Sequence, residues 1–278
     1  MDCTLSLLAL LQATPSHRRH PVAQALLAGP DALDACLAEG RLSPAHWQNA
    51  QRQQAALNAH HIKTIPAWHF PSHLRACALA PALFAWGDSA LLQQRAVAIV
   101  GSRDASASAE AWAKTCAAQA VKHNYVVVSG GARGIDAAAH HGALAAQGAT
   151  IAYVGSPIDK VYPATNKMLF ARMVQEGGCL VSEHPPYATT YRSSHAMRNR
   201  FIAAHADILI VAEARAASGT LITARWARQM GRRIMVSPEG VGQAREGLQA
   251  LLAADAAEIM QDESALASHR ALCYHGNA

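Results

Sequence analysis

The segment Ala96-Val-Ala-Ile-Val-Gly-Ser-Arg103 decides the fold of this chain. Its first five residues form an apolar run of strand length, and Gly101-Ser102-Arg103 follows without a break. A buried strand that ends in a small, polar turn before a helical stretch is typical of a parallel α/β sheet, because such strands are covered on both faces. The same pattern recurs toward the C-terminus, so the segment predicts an α/β domain.

Short apolar runs alternate with helical stretches from Arg95 onward. The runs lie at residues 96–100, 125–129, 150–154, 179–182, 208–212 and 234–237. The helical stretches, with apolar residues three and four apart, lie at residues 105–123, 135–147, 167–176 and 221–230. This alternation predicts a doubly wound, mostly parallel sheet with an extended Rossmann-like architecture.

The remaining sequence is organised around that domain. We expect a small N-terminal helical domain, a connector, the Rossmann-like domain and a tail, at residues 1–60, 61–94, 95–262 and 263–278, respectively. Leucines three residues apart indicate the helical domain. Pro66, Pro71 and Pro81 mark the connector.

Composition excludes several classes of protein. Of 278 residues, 51% are hydrophobic and 15% are charged, which excludes a disordered chain. The apolar runs are shorter than the ~20 residues of a membrane span, and Asp2 stands where a signal peptide would carry a basic residue, so we expect a cytoplasmic protein without a membrane partner. The six cysteines lie singly, so we expect no metal and no cofactor. The net charge of +5 suits nucleic acid if basic residues converge on one face.

Small and anion-binding residues follow several of the predicted strands. They are Gly101, Ser102, Arg103, Gly130, Arg133, Ser218, Gly219 and Thr220. The carboxyl ends of parallel strands meet at one edge of a sheet, where helix N-termini offer N–H groups to phosphate. We therefore expect these loops to form one anion-binding edge. For each glycine alone, the alternative is a tight strand-to-helix turn.

The sequence lacks the motifs of the common nucleotide enzymes. No GxGxxG opens the first helix of the domain and no GxxxxGK[ST] is present, so neither a dinucleotide oxidoreductase nor a P-loop NTPase is supported. Asp136 is interpreted as a charge at a helix N-terminus. Glu183 and Glu213 could pair with arginines or take part in acid–base chemistry. We expect a binding protein and not an enzyme.

A second group of residues combines basic side chains with an aromatic ring. It comprises Lys160, Asn166, Lys167, Phe170, Arg198, Asn199 and Arg200. Lys167 and Phe170 are three residues apart, on one helical face, where an ammonium can meet a phosphate while a ring stacks on a base. The alternatives are core packing for Phe170 and, for the two arginines, a solvated face or ion pairs with Glu183 and Glu213.

In order and spacing, these motifs resemble the DNA-processing protein A (DprA/Smf) family from about residue 62 to residue 259. The resemblance rests on residues 98–103, 128–136, 162–169, 180–183, 198–200 and 218–224. It implies an extended Rossmann domain that binds single-stranded DNA, protects incoming strands and loads the RecA recombinase in natural transformation or recombination, as a homodimer. It also implies that Arg103 and Lys167 contact phosphates and that Phe170 stacks on a base.

The chain departs from the family pattern at several positions. Gly131 stands where the family has leucine, and His195-Ala196-Met197 replaces the usual Phe-Pro. Two other functions stay open: a nucleotide-binding sensor or nucleotide-processing enzyme on a related Rossmann-like fold, and an interaction scaffold. Thr223 stands where the similar cytokinin-activating phosphoribohydrolases place a catalytic glutamate, so that acid is absent here.

Overall fold

The computed structural model of the chain describes residues 2–14, 19–40, 42–75, 80–239, 241–262 and 264–267. The strands are β1 (Ile62–Pro66), β2 (Ala82–Gly87), β3 (Ala96–Val100), β4 (Val126–Ser129), β5 (Thr150–Val154), β6 (Cys179–Ser182), β7 (Ile208–Val211), β8 (Arg233–Val236) and β9 (Glu258–Ile259). The α-helices are α1 (Cys3–Ala13), α2 (Arg19–Leu26), α3 (Asp31–Glu39), α4 (Pro44–Ala59), α5 (Ser72–Arg75), α6 (Ala107–Lys122), α7 (Ile135–Ala145), α8 (Lys167–Gln175), α9 (Arg192–Met197), α10 (Asn199–His205), α11 (Gly219–Gln229), α12 (Glu246–Ala253) and α13 (Ser264–Ala267).

One sheet runs through the described part of the chain, with the strand order β1-β2-β6-β5-β4-β3-β7-β8-β9. The seven strands from β6 across the sheet to β9 are parallel to their neighbours. Strand β2 pairs antiparallel with both β1 and β6. The chain winds outward from β3 through β4, β5 and β6, then returns to pair β7 with the other side of β3. The predicted doubly wound, mostly parallel α/β sheet is confirmed. In such sheets ligands bind where the winding direction reverses.

Strand β3 is covered on both faces. Val97 and Ile99 pack in one apolar cluster with α6 and α7, while Ala98 and Val100 belong to the cluster on the opposite face with α10 and α11. Successive strand residues point to opposite faces, so both sets of side chains must be apolar. This explains why the strand appears in the sequence as an uninterrupted hydrophobic run.

The N-terminal helices share their core with the sheet. Leu8 and Leu11 of α1 and Leu57 of α4 pack in the same apolar cluster as Phe84 of β2 and Leu180 of β6. The boundary expected near residue 60 therefore separates segments that are joined by a common core. No helix among the described residues combines the length and the apolar character needed to cross a bilayer.

Residues 61–94, interpreted from the sequence as a connector, contribute two strands to the sheet. Phe84 of β2 pairs with Ser182 of β6, and β1 forms the edge of the sheet beyond β2. Pro66 is compatible with a strand because it ends β1 at that edge, where proline is tolerated. The connector interpretation is corrected accordingly. Of the tail expected at 263–278, all but the four residues of α13 lie outside the described residues.

Candidate nucleic-acid interface

A cavity of about 770 Å³ opens at the carboxyl ends of β3 and β7, where the winding of the sheet reverses. Eight of the residues selected from the sequence line it: Gly101, Ser102, Arg103, Arg198, Asn199, Ser218, Gly219 and Thr220. A smaller adjoining pocket of about 50 Å³ adds Gly130 and Arg133 to this group. The structure therefore brings the strand-end loops together at one site.

The loop after β3 is fixed by backbone contacts. The Ser102 N–H donates to the carbonyl of Glu213 at 2.8 Å, and the Ser102 carbonyl accepts from the N–H of Ile135, the first residue of α7, at 3.2 Å. A Cβ at Gly101 would lie 2.5 Å from Cγ1 of Ile135, so glycine is required for this approach. The exposed side chain of Arg103 is thus carried on a well-anchored turn.

Arg198 supplies a buried positive charge to the cavity wall, with only 6% of the residue exposed. Its guanidinium donates to the carbonyls of Tyr153 and His195 and lies 4.0 Å from the Asp136 carboxyl group. Burial lowers the pKa of Arg198 to about 10, with Asp136 acting in the opposite direction, so the group stays protonated at neutral pH. Burial also raises the pKa of Asp136, against the effects of Arg198 and of a hydrogen bond from the Ala132 N–H.

Gly130 makes room for this arginine. A Cβ at position 130 would lie 1.9 Å from Nη1 of Arg198, far inside van der Waals contact. The glycine is therefore needed for packing of the guanidinium, whatever ligand the cavity holds. Sequence reasoning selected Gly130 for a different reason, namely close approach of an anion to the backbone.

Gly130→Ala is expected to lower the free energy of unfolding by about 1–3 kcal/mol, because the added methyl group displaces the Arg198 guanidinium. Gly219→Ala is the matched control, since a Cβ there meets nothing within 4 Å and alanine favours the helix it begins. Urea denaturation of both variants measures the difference. Equal stability of the two would contradict the packing role of Gly130.

The start of α11 presents polar groups to the cavity. Ser218 precedes the helix, and its buried Oγ has no hydrogen-bond partner among the described residues. The Asn199 Nδ2 donates to the carbonyl of Gly219 at 3.2 Å and so fixes this end of the helix. Because the first N–H groups of a helix have no partner within the helix, and its dipole is positive there, this end favours an anion.

Phe170 lies in the core. Only 1% of the residue is exposed, and it packs with Leu169 and Met173 of α8 and with Ala152 of β5. A Cβ at Gly131 would lie 2.7 Å from Cε1 of Phe170, so the glycine at this position leaves space for the ring. The predicted base-stacking role of Phe170 is corrected, because no face of the ring is free. The structure supports the alternative considered from the sequence, in which Phe170 packs in the core.

Arg200 is also a structural residue. It is buried, its Nη2 lies 2.6 Å from Oε2 of Glu183 and its Nη1 lies 3.2 Å from Oε1 of the same carboxylate. Its guanidinium carbon lies 4.2 Å from the centroid of the Phe201 ring. Both oxygens of its partner are engaged, so the selection of Arg200 as a DNA-binding residue is corrected to a buried ion pair.

The other selected residues lie beside the cavity. Lys160 and Lys167 are exposed and line neither pocket. Asn166 donates from Nδ2 to the carbonyls of Gly131 and Ala132, at 3.0 and 3.1 Å, and thereby holds its own loop against the loop after β4. The structure thus gives Asn166 a positioning role.

Several cavity residues were not selected from the sequence as binding residues, among them the large polar or charged side chains of Tyr162, Tyr191, His195 and Arg215. Arg215 could have been found, because it lies in the turn after β7 just as Arg103 lies in the turn after β3. Tyr191 has no comparable local signal, since it reaches the cavity through the long segment between β6 and α9. Burial lowers the pKa of His195, with further lowering by Arg198 and Arg103, so this side chain is neutral at pH 7.

The glutamates considered for acid–base chemistry have structural partners. Oε2 of Glu213 accepts from the Ser106 Oγ at 2.7 Å and from the Gln243 N–H at 3.0 Å. Glu183 pairs with Arg200 as described above. In the part of the chain that the structure describes, no group of three His, Cys, Asp or Glu side chains is placed to hold a metal ion.

A doubly wound sheet with glycine turns, arginines and a helix N-terminus around its reversal point defines a Rossmann-like protein with an anion-binding cavity. The sequence profile of the family described as DNA recombination-mediator protein A matches residues 61–270, and the chain belongs to this family. The resemblance inferred from the motifs is confirmed.

Relatives and solved structures agree with this assignment. Protein Smf of Escherichia coli is 34% identical over 184 residues, which cover 66% of this chain and 49% of that protein. The X-ray structure of DNA processing protein A from Streptococcus pneumoniae superposes with a TM-score of 0.68 at 30% identity and 86% coverage of each chain. DNA processing protein A from Helicobacter pylori, described for its single-stranded DNA binding mode, gives 0.66 at 27% identity, covering 73% of this chain and 93% of that one. This chain spans about half the length of the curated relatives it matches.

Proposed function

We propose that this chain binds single-stranded DNA and acts as a DNA-processing protein in recombination and natural transformation. The observation that carries the proposal is the convergence of Arg103, Arg198, Arg215 and the start of α11 on one cavity. Guanidinium groups bind phosphate oxygens through charge-assisted hydrogen bonds, and a helix N-terminus adds N–H donors. Such a site grips the backbone of a nucleic acid without reading its sequence.

The shape of the site favours an unpaired strand. The cavity is concave and reaches down to the buried Arg198, a depth that a phosphate and its base reach more easily from a flexible single strand than from a stacked duplex. We propose binding without turnover, because Glu183 and Glu213 are committed to structural contacts. The single-stranded DNA binding of the Helicobacter pylori relative supports the same conclusion.

The family description supports a further part of the proposal. A recombination mediator delivers a strand to a recombinase, so we propose that the bound strand is passed to RecA. We also propose that the chain acts as a homodimer. These two partnerships are separate from DNA binding, and the experiment below tests DNA binding alone.

Affinity for single-stranded oligonucleotides is expected to exceed affinity for duplexes of the same sequence at matched salt. Arg103→Ala and Arg215→Ala should each weaken binding and reduce the slope of log affinity against log salt by roughly 0.7. Each variant makes one phosphate contact fewer, so its binding releases fewer counterions from the DNA. Lys122→Ala is the matched control. Lys122 ends α6, the helix that starts beside the cavity, and so lies about 20 Å away along the helix axis.

Two results would count against the proposed function. Equal affinity for the single strand and the duplex would remove the preference on which it rests. A mononucleotide that competes as strongly as a long strand would instead indicate a nucleotide sensor, the alternative considered from the sequence.

A further inference from the structure

Two tyrosines at the cavity are unusually exposed. Tyr162 is 57% exposed and Tyr191 is 67% exposed, and both line the cavity. By contrast, Tyr125 and Tyr153 are almost completely buried in the same protein. Burying a large aromatic ring stabilises a fold, so a ring that stays exposed gives up this stabilisation. Exposed rings next to a polar site are therefore typical of ligand-binding surfaces.

The backbones of both tyrosines are held in place. The Tyr162 N–H donates to the Ser156 Oγ at 3.2 Å, and the Tyr162 ring centroid lies 5.5 Å from that of His195. The Tyr191 N–H donates to the Ser194 Oγ at 3.1 Å, where α9 begins. Rings carried on a fixed backbone lose little conformational freedom when they bind, which suits a stacking role.

The charges around these rings fit a nucleic acid. Arg103 and Arg215 line the same cavity, and the smaller pocket brings Arg103 and Tyr162 together again. Of the carboxylates at the cavity, Asp104 pairs with Arg133 at 3.4 Å and Asp136 faces Arg198. An aromatic ring beside phosphate-binding arginines is the arrangement by which single strands are bound without sequence preference.

We propose that Tyr162 and Tyr191 stack on unpaired bases of the bound strand and so fill the role for which the buried Phe170 is unavailable. The inference rests on the proposed function, because it names the residues that hold the bases while the arginines hold the phosphates. The ligand class is single-stranded DNA of any sequence, since every base has a face on which a ring can stack.

The test compares a normal oligothymidylate with an abasic strand of the same length. Tyr162→Ala and Tyr191→Ala should each weaken binding of the normal strand by about 5- to 150-fold, with an unchanged salt slope and an unchanged melting temperature. Tyr162→Phe and Tyr191→Phe should bind like wild type, because the ring is kept. On the abasic strand, wild type and the alanine variants should bind alike.

Tyr187→Ala is the matched control. Tyr187 is 54% exposed, but it lines neither pocket and its ring centroid lies 4.2 Å from the Arg52 guanidinium carbon. The Tyr187→Ala variant should bind both the normal and the abasic strand like wild type.

The possible outcomes separate this inference from the proposed function. If the alanine variants of Tyr162 and Tyr191 bind the normal strand like wild type, the stacking role is overturned while DNA binding stands. If they lose equal affinity for normal and abasic strands, the hydroxyl groups contact the backbone and stacking is again overturned. If wild type fails to bind a single strand, the proposed function fails and the inference fails with it.

Discussion

Phe170→Ala is expected to lower the free energy of unfolding by about 3–5 kcal/mol and to leave the affinity for single-stranded DNA close to that of wild type. The ring is 1% exposed and packs in the cluster that joins α8 to the sheet and to the N-terminal helices. Its removal leaves a cavity among residues that are fixed by strand pairing, so the site cannot collapse fully. The loss is one of the two largest effects we expect in this protein.

Urea denaturation and oligonucleotide titration on the same samples measure this difference. Met168→Ala is the matched control, because Met168 lies on the same helix but is 81% exposed and should change stability by less than about 0.5 kcal/mol. A Phe170→Ala variant with wild-type stability and a weakened complex would contradict the core assignment. It would return the stacking role to Phe170 and remove the need for Tyr162 and Tyr191.

The case of Phe170 shows what helical spacing can and cannot predict. Lys167 and Phe170 are correctly placed on one helix, three residues apart. Their spacing does not specify which side of the helix meets the sheet, and here the boundary between exposed and buried surface passes between them, with Lys167 exposed and Phe170 buried. The side that faces the core depends on contacts with β5 and with Gly131, which are distant in sequence.

Arg198 and Arg200 illustrate the same limit. They are two residues apart, so on a helical turn their side chains diverge. Arg198 lines the cavity, whereas Arg200 forms an ion pair with Glu183. The sequence indicated either DNA binding or an ion pair for both arginines. It could not show that Arg198 lines the cavity while Arg200 pairs with Glu183.

The central strands were predictable because burial on both faces leaves a strong local signal. The apolar run at 96–100 coincides with β3, and the run at 150–154 coincides with β5. Strand β2 was missed because it joins the sheet by pairing with β6, which lies about a hundred residues later in the chain, and nothing local indicates this pairing. Strand β1 was missed with it, because β1 pairs with β2 at the edge of the sheet. The strand-end loops predicted the cavity in outline, whereas the position of Tyr191 depends on the course of the segment between β6 and α9.

Lowering the pH from 6.5 to 4.5 is expected to destabilise the protein by up to about 4 kcal/mol per pH unit, because three buried histidines resist protonation. Burial lowers the pKa of His73 to about 4, and it lowers those of His140 and His205 to about 3. Nδ1 of His205 lies 3.0 Å from the Tyr153 hydroxyl, and its ring stacks on His73 with 4.7 Å between centroids, so protonation of either ring opposes protonation of the other.

The surroundings of these rings are mostly neutral or positive. Arg232 lowers the pKa values of His73 and His205, and Asp207 raises that of His73 by a smaller effect than burial. Nδ1 of His140 lies 2.7 Å from the Thr150 Oγ1, and its pKa is lowered further by His141 and Arg198. Asp207 and the backbone of Leu92 favour a proton on His73, and the backbone of Gln94 favours one on His205, but each effect is smaller than that of burial.

The sign of the pH effect follows from where the protons bind. An unfolded histidine takes up a proton below about pH 6.5, whereas these three stay neutral in the folded state until about pH 3 to 4, so the unfolded state binds more protons throughout the interval. Stability contributed by these groups is therefore complete above pH 6.5 and declines as the pH falls. Asp136 opposes the trend, because its raised pKa lets the folded state take up a proton first.

Urea titrations at several pH values measure how steeply the free energy of unfolding changes with pH. Single substitutions show how much of this slope each histidine contributes. His140→Asn keeps a polar atom near the Thr150 Oγ1, and His205→Gln keeps one near the Gln94 carbonyl, yet neither residue can take up a proton. Each variant should therefore lose about one third of the wild-type slope, whatever its stability at pH 7, because the slope counts protons and not contacts. A wild-type slope near zero between pH 6.5 and 4.5 would mean that these histidines accept protons in the folded protein, and the burial of His73, His140 and His205 would then have to be abandoned as the cause of acid instability.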